Sequence, residues 1–114
     1  MGKLAKNEES ISEIRRRFAR DFLDMLVLTI IRIRPMWGYK IIGEIERDFG
    51  VKVGYGTIYP LLGSLEKGGF IRSRLELRNK RKRKVYEITA KGIELIKSYN
   101  EFLREQLERS EVIF

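Results

Sequence analysis

The chain contains no cysteine and no histidine. Disulfides, the common zinc sites and nucleophiles activated by Cys–His or Ser–His pairs are therefore excluded. Proline occurs twice, at Pro35 and Pro60, and tryptophan once, at Trp37. Long apolar runs are also missing: the stretch from Met25 to Ile31 is far short of a membrane span. Met1-Gly-Lys-Leu-Ala does not lead into a signal-peptide core. These absences predict a cytoplasmic protein that needs no metal and no cofactor.

Catalysis finds little material. Gly54-x-Gly56 is a fragment of a phosphate-binding loop, but Tyr59 stands where a third glycine would be needed, and no Gly-Lys-Ser/Thr follows. Any chemistry would rest on carboxylates, lysine or tyrosine, and no pair of carboxylates stands out in an apolar setting. The sequence reads as a binding protein and not as an enzyme.

What is present is positive charge in one place. The chain has 114 residues, enough for one modest core, and a formal net charge of +8. Residues 70–89 hold eight Lys/Arg against two Asp/Glu, whereas residues 35–69 balance at four against four. Concentration on that scale favours a polyanion footprint over general solubility.

Next to this segment lies the stretch that organises the rest, Gly54-Tyr-Gly-Thr-Ile-Tyr-Pro-Leu-Leu-Gly-Ser-Leu-Glu-Lys-Gly-Gly-Phe-Ile71. At helical spacing Ile58, Leu61, Leu62 and Leu65 form one narrow apolar stripe. The opposite face carries Gly56, Pro60, Gly63, Ser64 and Lys67, with Thr57 and Tyr59 at its shoulders and Glu66 to one side. Small, polar and cationic residues without a carboxylate let a helix sit close to a polyanion. Gly68 and Gly69 are expected to supply positive φ and end the helix.

Along the chain, Ser10-Ile-Ser-Glu13 matches a capping box and predicts the start of a first helix. Ile11, Ile14, Phe18, Phe22 and Met25 line one side, and Arg15, Arg16, Arg17 and Arg20 lie elsewhere as a solvated cluster. A break near Asp21 is compatible with the pattern, and Pro35 stops the helix at about Arg34. After a turn at Pro35-Met-Trp-Gly38, a second helix is expected from about Tyr39 to Phe49, with Gly50 as its stop. Ile71, Ser73, Leu75 and Leu77 then alternate with Arg72, Arg74 and Glu76, and Tyr86 and Ile88 with Val85 and Glu87, predicting a two-stranded hairpin with one face towards the core. Its connection, Arg78-Asn-Lys-Arg-Lys-Arg-Lys84, holds six cations and no acid. Thr89 suits the N-cap of a last helix, about Ala90 to Arg109. Half of that helix is apolar, more than a small core needs, which points to a subunit interface.

Three helices, a hairpin and a helix give the order of a winged helix-turn-helix: a mainly α (α+β) fold with a two-stranded basic wing and a C-terminal dimerisation helix. The expected domains are an N-terminal helical extension over 1–21, the DNA-binding domain over 22–89 and the dimerisation helix over 90–114. The detailed residues resemble the PadR family of prokaryotic transcriptional regulators. The matching pieces are Gly38-Tyr-Lys-Ile41, Gly56-Thr-Ile-Tyr-Pro-Leu-Leu62, Leu65-Glu-Lys-Gly-Gly-Phe-Ile71, Arg83-Lys-Val-Tyr86 and Ile88-Thr-Ala-Lys-Gly92. The resemblance covers roughly residues 23 to 103, and the length is similar to the smaller class with a single dimerisation helix. It implies a homodimer that represses by occupying operator DNA. Some relatives release DNA on binding a small aromatic effector, for which Trp37, Tyr99 and Phe102 offer stacking surface here. The family's drug-binding members use a tryptophan on the dimer helix, and this chain has none there.

The expected DNA contacts are Tyr55, Gly56, Thr57, Tyr59, Pro60, Ser64 and Lys67 on the third helix, and Arg78, Lys80, Arg81, Lys82 and Arg83 on the wing. Dimerisation is expected through Leu95, Ile96, Tyr99, Phe102 and Leu103 of the last helix, with Ile11, Ile14 and Phe18 of the first. The alternative is a winged helix that binds RNA or another protein, for which Tyr55 and Tyr59 are the only obvious base-stacking candidates.

Overall fold

The computed structural model describes the backbone of residues 2–113 and the side chains of residues 10–109. Helix α1 runs Gly2–Asp21 and α2 runs Leu23–Ile33. The capping box therefore does not start α1: residues 3–9 contain neither proline nor glycine, and the helix continues through Ser10. Phe22 (φ −114°, ψ 31°) forms the break expected near Asp21. Hydrogen bonds from Phe22 N–H to Phe18 O (2.8 Å) and from Leu26 N–H to Phe22 O (3.0 Å) carry the ladder across it. Arg34 is extended (φ −165°, ψ 151°), the conformation that a following proline imposes.

Residues 36–37 are not a turn. Met36–Trp37 form strand β1, which pairs antiparallel with a later strand through Met36↔Tyr86 and Trp37↔Val85. Two residues carry too little alternation to announce a strand; the pairing is decided by the partner. Helix α3, Gly38–Phe49, ends on Gly50 in the left-handed region (φ 66°), and α4 is Tyr55–Lys67. Gly68 stays right-handed (φ −76°), so of the pair only Gly69 takes positive φ (82°). Strands β2, Ile71–Arg78, and β3, Arg81–Ile88, complete a three-stranded sheet in the order β1-β3-β2, one strand more than the hairpin alone. Helix α5, Ala90–Ile113, closes the chain.

The core sits where α2 meets α3, α4, α5 and the base of the sheet. Val27, Leu28, Ile31, Ile41, Ile45, Ile58, Leu62 and Ile71 are fully buried, joined by Tyr86 and Ile96. Burying one such side chain is worth roughly 1.5–3 kcal/mol, so the stripes fix how α3 docks on α2 and how α4 docks on α3 and β2. The junction of α4, β2 and α5 is clamped by polar contacts. Thr89 Oγ1 accepts from Gly92 N–H (3.2 Å) as N-cap of α5 and donates to Gly69 O (2.6 Å). Lys91 Nζ donates to Gly68 O (2.7 Å) at the C-terminus of α4, where a cation also complements the helix dipole. Gly92 is required here: a Cβ would lie 2.2 Å from Phe70 O.

The molecule is elongated, 54 × 32 × 21 Å, with a radius of gyration of 16.7 Å. A compact domain of this length has about 13 Å. Among the described residues no helix is long and apolar enough to cross a membrane.

Candidate nucleic-acid interface

All seven expected contacts on α4 are exposed: Tyr55, Gly56, Thr57, Tyr59, Pro60, Ser64 and Lys67. The buried side is Ile58, Leu62 and Leu65, with Leu61 half-buried, as the stripe predicts. Gly56 and Gly63 have nothing of this chain within 4 Å of where a Cβ would be, so internal packing does not call for glycine there. What the two glycines do is flatten the outer face. Gly54 precedes α4 with extended backbone and no side-chain cap, leaving first-turn N–H groups turned outward. Pro60, inside the helix, has no N–H to give the Gly56 carbonyl.

The two tyrosines of α4 belong to a larger array that the sequence does not announce. Trp37 stacks on Tyr39 (centroids 5.3 Å apart), Tyr39 on Tyr55 (6.4 Å) and Tyr55 on Tyr59 (5.6 Å, planes 10° apart). This ladder runs from β1 across the start of α3 to the start of α4. Gly38 lets it close: a Cβ there would come 3.0 Å from the Tyr59 hydroxyl. Spacing reveals only the i, i+4 pair Tyr55/Tyr59; the other two rings come from separate elements.

The wing departs most from expectation. Its turn is two residues, Asn79 (φ 50°) and Lys80 (φ 64°), the double positive φ of a tight hairpin. Arg81, Lys82, Arg83 and Lys84 are therefore on β3 and not in a loop, opposite Arg78, Leu77, Glu76 and Leu75. Strand alternation splits the run. Arg83 turns back, its guanidinium 3.7 Å from the centre of the Trp37 ring, which takes it away from the free tip. Lys84 pairs with Glu66 at 3.3 Å. Arg78, Lys80, Arg81 and Lys82 are exposed, and among the described residues none is in an ion pair. Leu75 and Leu77 do not face the core; at 68% and 71% exposure they stand beyond the end of the helical layer.

Where the wing meets the helices its charges are neutralised. Arg72 donates to Glu87, and Arg74 bonds the same carboxylate (2.8 Å) and Glu76 (3.3 Å). The Arg72 bond is the first cause holding the Glu87 carboxyl below its usual range. Ser73 Oγ donates to Glu66 and holds that carboxyl low, against the opposing effect of desolvation.

The dimerisation residues divide too. Ile96 is 2% exposed inside its own chain's core and offers nothing to a partner. Helical spacing marks it apolar without saying which side of the helix its own domain occupies. Tyr99 packs edge-on against Phe22 and donates to Asp24 Oδ2 (2.7 Å), which pushes its hydroxyl pKa up to about 12. Leu95 and Leu103 are half-buried, as is Phe18, which stacks on Phe22. Ile11, Ile14 and Phe102 are about half exposed, and Leu107 more so. Of the three aromatics suited to an effector, Trp37 is covered by Arg83 and Tyr99 is tied to Asp24, leaving Phe102 open.

A helix with a flat outer face free of carboxylate, docked in a helix-turn-helix and flanked by a two-stranded basic wing, defines a winged helix-turn-helix DNA-binding protein. The chain belongs to the transcriptional regulator PadR-like family, whose sequence profile matches residues 27–98. No curated protein matches it in sequence. Among solved structures, it is similar to a PadR-like transcriptional regulator from Bacillus cereus strain ATCC 14579, with 26% identity over 85% of this chain and 95% of that one and a TM-score of 0.74. A transcriptional regulator from Thermoplasma acidophilum is 27% identical over 84% and 91% of the two chains, TM-score 0.71. A PadR family regulator from Eggerthella lenta DSM 2243, 24% identical over 96% of both chains with a TM-score of 0.75, shares the fold.

Proposed function

We propose that this regulator is a homodimeric repressor that occupies a pseudo-palindromic operator. The observation that carries the reading is the exposed face of α4, which is free of carboxylate and lies beside a wing tip whose cations form no ion pair among the described residues. Helix α4 enters the major groove by its N-terminal end, Thr57 and the Tyr59 edge reach backbone or bases, and Ser64 and Lys67 follow the groove. Arg78, Lys80, Arg81 and Lys82 neutralise flanking phosphates. Asp, Glu and Arg with bidentate base-reading geometry are missing from the exposed face of α4, so part of the discrimination comes through DNA shape. The elongated outline supports the dimer: exposed apolar residues of α1 and α5 lie outside the compact core and need a second copy to cover them.

Selection of bound fragments from random DNA is the test, and a symmetric motif with half-sites about 10 bp apart is expected. Three or four phosphates per subunit give a log K against log salt slope of about −5 to −7. Preference for structured RNA over duplex DNA would replace this reading. Light scattering at micromolar concentration should give a dimer, and replacing Phe102 and Leu103 together with Asp should give monomers, since each carboxylate would be buried unpaired. A wild-type monomer would end the dimer proposal.

A further inference from the structure

A cleft of about 150 Å³ opens between β1 and the face of the wing that carries Glu76 and Arg83. Its lining includes Arg34, Trp37, Lys40, Glu76, Arg78 and Arg83. Four cations and one carboxylate line it, and Arg74 engages that carboxylate at 3.3 Å. Among the described residues none of the four is in an ion pair. Elsewhere carboxylates have found their cations, Glu87 with Arg72 and Arg74, Glu66 with Lys84, and Glu44 with Arg47. Arg83 instead lies over the Trp37 ring, an arrangement that positions a guanidinium without neutralising it. Like charges gathered in a recess repel, and an anion placed among them removes the repulsion.

We propose that this cleft is a phosphate seat. Arginine forks and a lysine ammonium converge as donors on a tetrahedral dianion or diester, and the recess accepts a group larger than a chloride ion. Trp37, the floor, is also the first ring of the ladder that ends on Tyr59 of α4. The cleft and the exposed face of α4 are thus the two ends of one strip of surface. A nucleic-acid strand leaving the groove at α4 for the wing passes along it. In that role the seat rests on the DNA-binding reading and adds Arg34 and Lys40 to the interface. A free phosphate ester has the same chemistry and is separated by experiment.

Trp37 is the single tryptophan, so its emission reports the cleft. The full-length protein and the double variant Arg34→Ala/Lys40→Ala are titrated with random 20-bp duplex, with AMP and with inorganic phosphate, and duplex binding is followed in parallel by mobility shift at several salt concentrations. With a backbone phosphate in the seat, duplex changes Trp37 emission saturably. The double variant then keeps its sequence preference while its salt slope becomes less steep by about 1 per subunit. A saturable response to AMP or phosphate alone, absent in the double variant, assigns the seat to a free phosphate ester. The idea is overturned if none of the three probes alters emission, or if the double variant matches wild type in every titration. A protein that shifts duplex with no Arg34/Lys40 dependence loses the seat and keeps the DNA-binding reading; one that responds to AMP but shifts no duplex does the reverse. Equal urea midpoints for the two proteins establish that any change is not a folding defect.

Discussion

The root and the tip of the wing are built from the same residue types and do different work. At the root Ile71, Val85 and Tyr86 are buried, Arg72 and Arg74 share Glu87, and Lys84 meets Glu66. Further out along the hairpin Leu75 and Leu77 are exposed, and Arg78, Lys80, Arg81 and Lys82 form no ion pair among the described residues. The division teaches that the number of cations in a segment overstates its capacity for a polyanion. A paired arginine must give up its carboxylate before it can gain a phosphate, whereas an unpaired one only sheds counterions. The root is a joint that fixes the direction of the wing; the tip is the part free to bind.

The largest break between the two comes from removing the tip's charge. Lys80→Ala/Arg81→Ala/Lys82→Ala should weaken duplex binding by about 100-fold or more at low salt, with the slope flattened by about 1 for each phosphate no longer neutralised. Sequence preference and urea stability should stay near wild type, since these side chains are exposed and outside the core. Wild-type affinity with an unchanged slope would show that the tip is only solvated surface. The complementary variant acts on the joint. Gly92→Ala puts a methyl against Phe70 O and Ile88 where the backbone of α5 crosses the wing root. It should cost about 1–3 kcal/mol of folding free energy by urea denaturation. Once folded protein is assayed, its salt slope should be that of wild type, because every cation of the tip is still in place.

Much of this division is hidden in the sequence for a physical reason. Helices α2, α3 and α4 are legible because their stripes repeat at 3.6 residues and because Pro35 and Gly50 punctuate them. The exposed face of α4 is legible as the complement of its stripe. Strand β1 is not, because two residues have no period. The basic run reads as a loop because six cations mask the alternation, and the turn signal is reduced to Asn79-Lys80 without a glycine. Charge alone cannot separate Arg83 and Lys84 from their neighbours; what decides their roles lies across the sheet at Trp37 and across the domain at Glu66. Ile96 shows the same limit on α5: periodicity marks a face as apolar, and only the packed domain decides whether that face meets its own core or a partner.

The smallest expected effect is the most specific to the joint. Glu66 reaches from α4 to accept from Ser73 Oγ on β2 and to pair with Lys84 on β3 at 3.3 Å, so one carboxylate ties α4 to both strands of the wing. The Ser73 hydrogen bond is the main reason its pKa is depressed in the folded protein. A folded-state pKa below the unfolded one means that the native form holds its proton more weakly. The contribution to stability is therefore fully present above the ordinary glutamate value of about 4.3 and is lost as pH falls through the lower folded value. The side chain is 32% exposed and its lysine 51%, so screening keeps the effect small, below about 1 kcal/mol. Glu66→Gln keeps the shape, can still accept from Ser73 and removes the charge. It should lower the urea midpoint slightly at pH 7, and the gap to wild type should narrow as the pH is taken down to about 3, below the unfolded glutamate value. A gap of the same size at both pH values would assign the cost to altered packing and leave the wing held at its root by Thr89, Lys91 and the buried side chains alone.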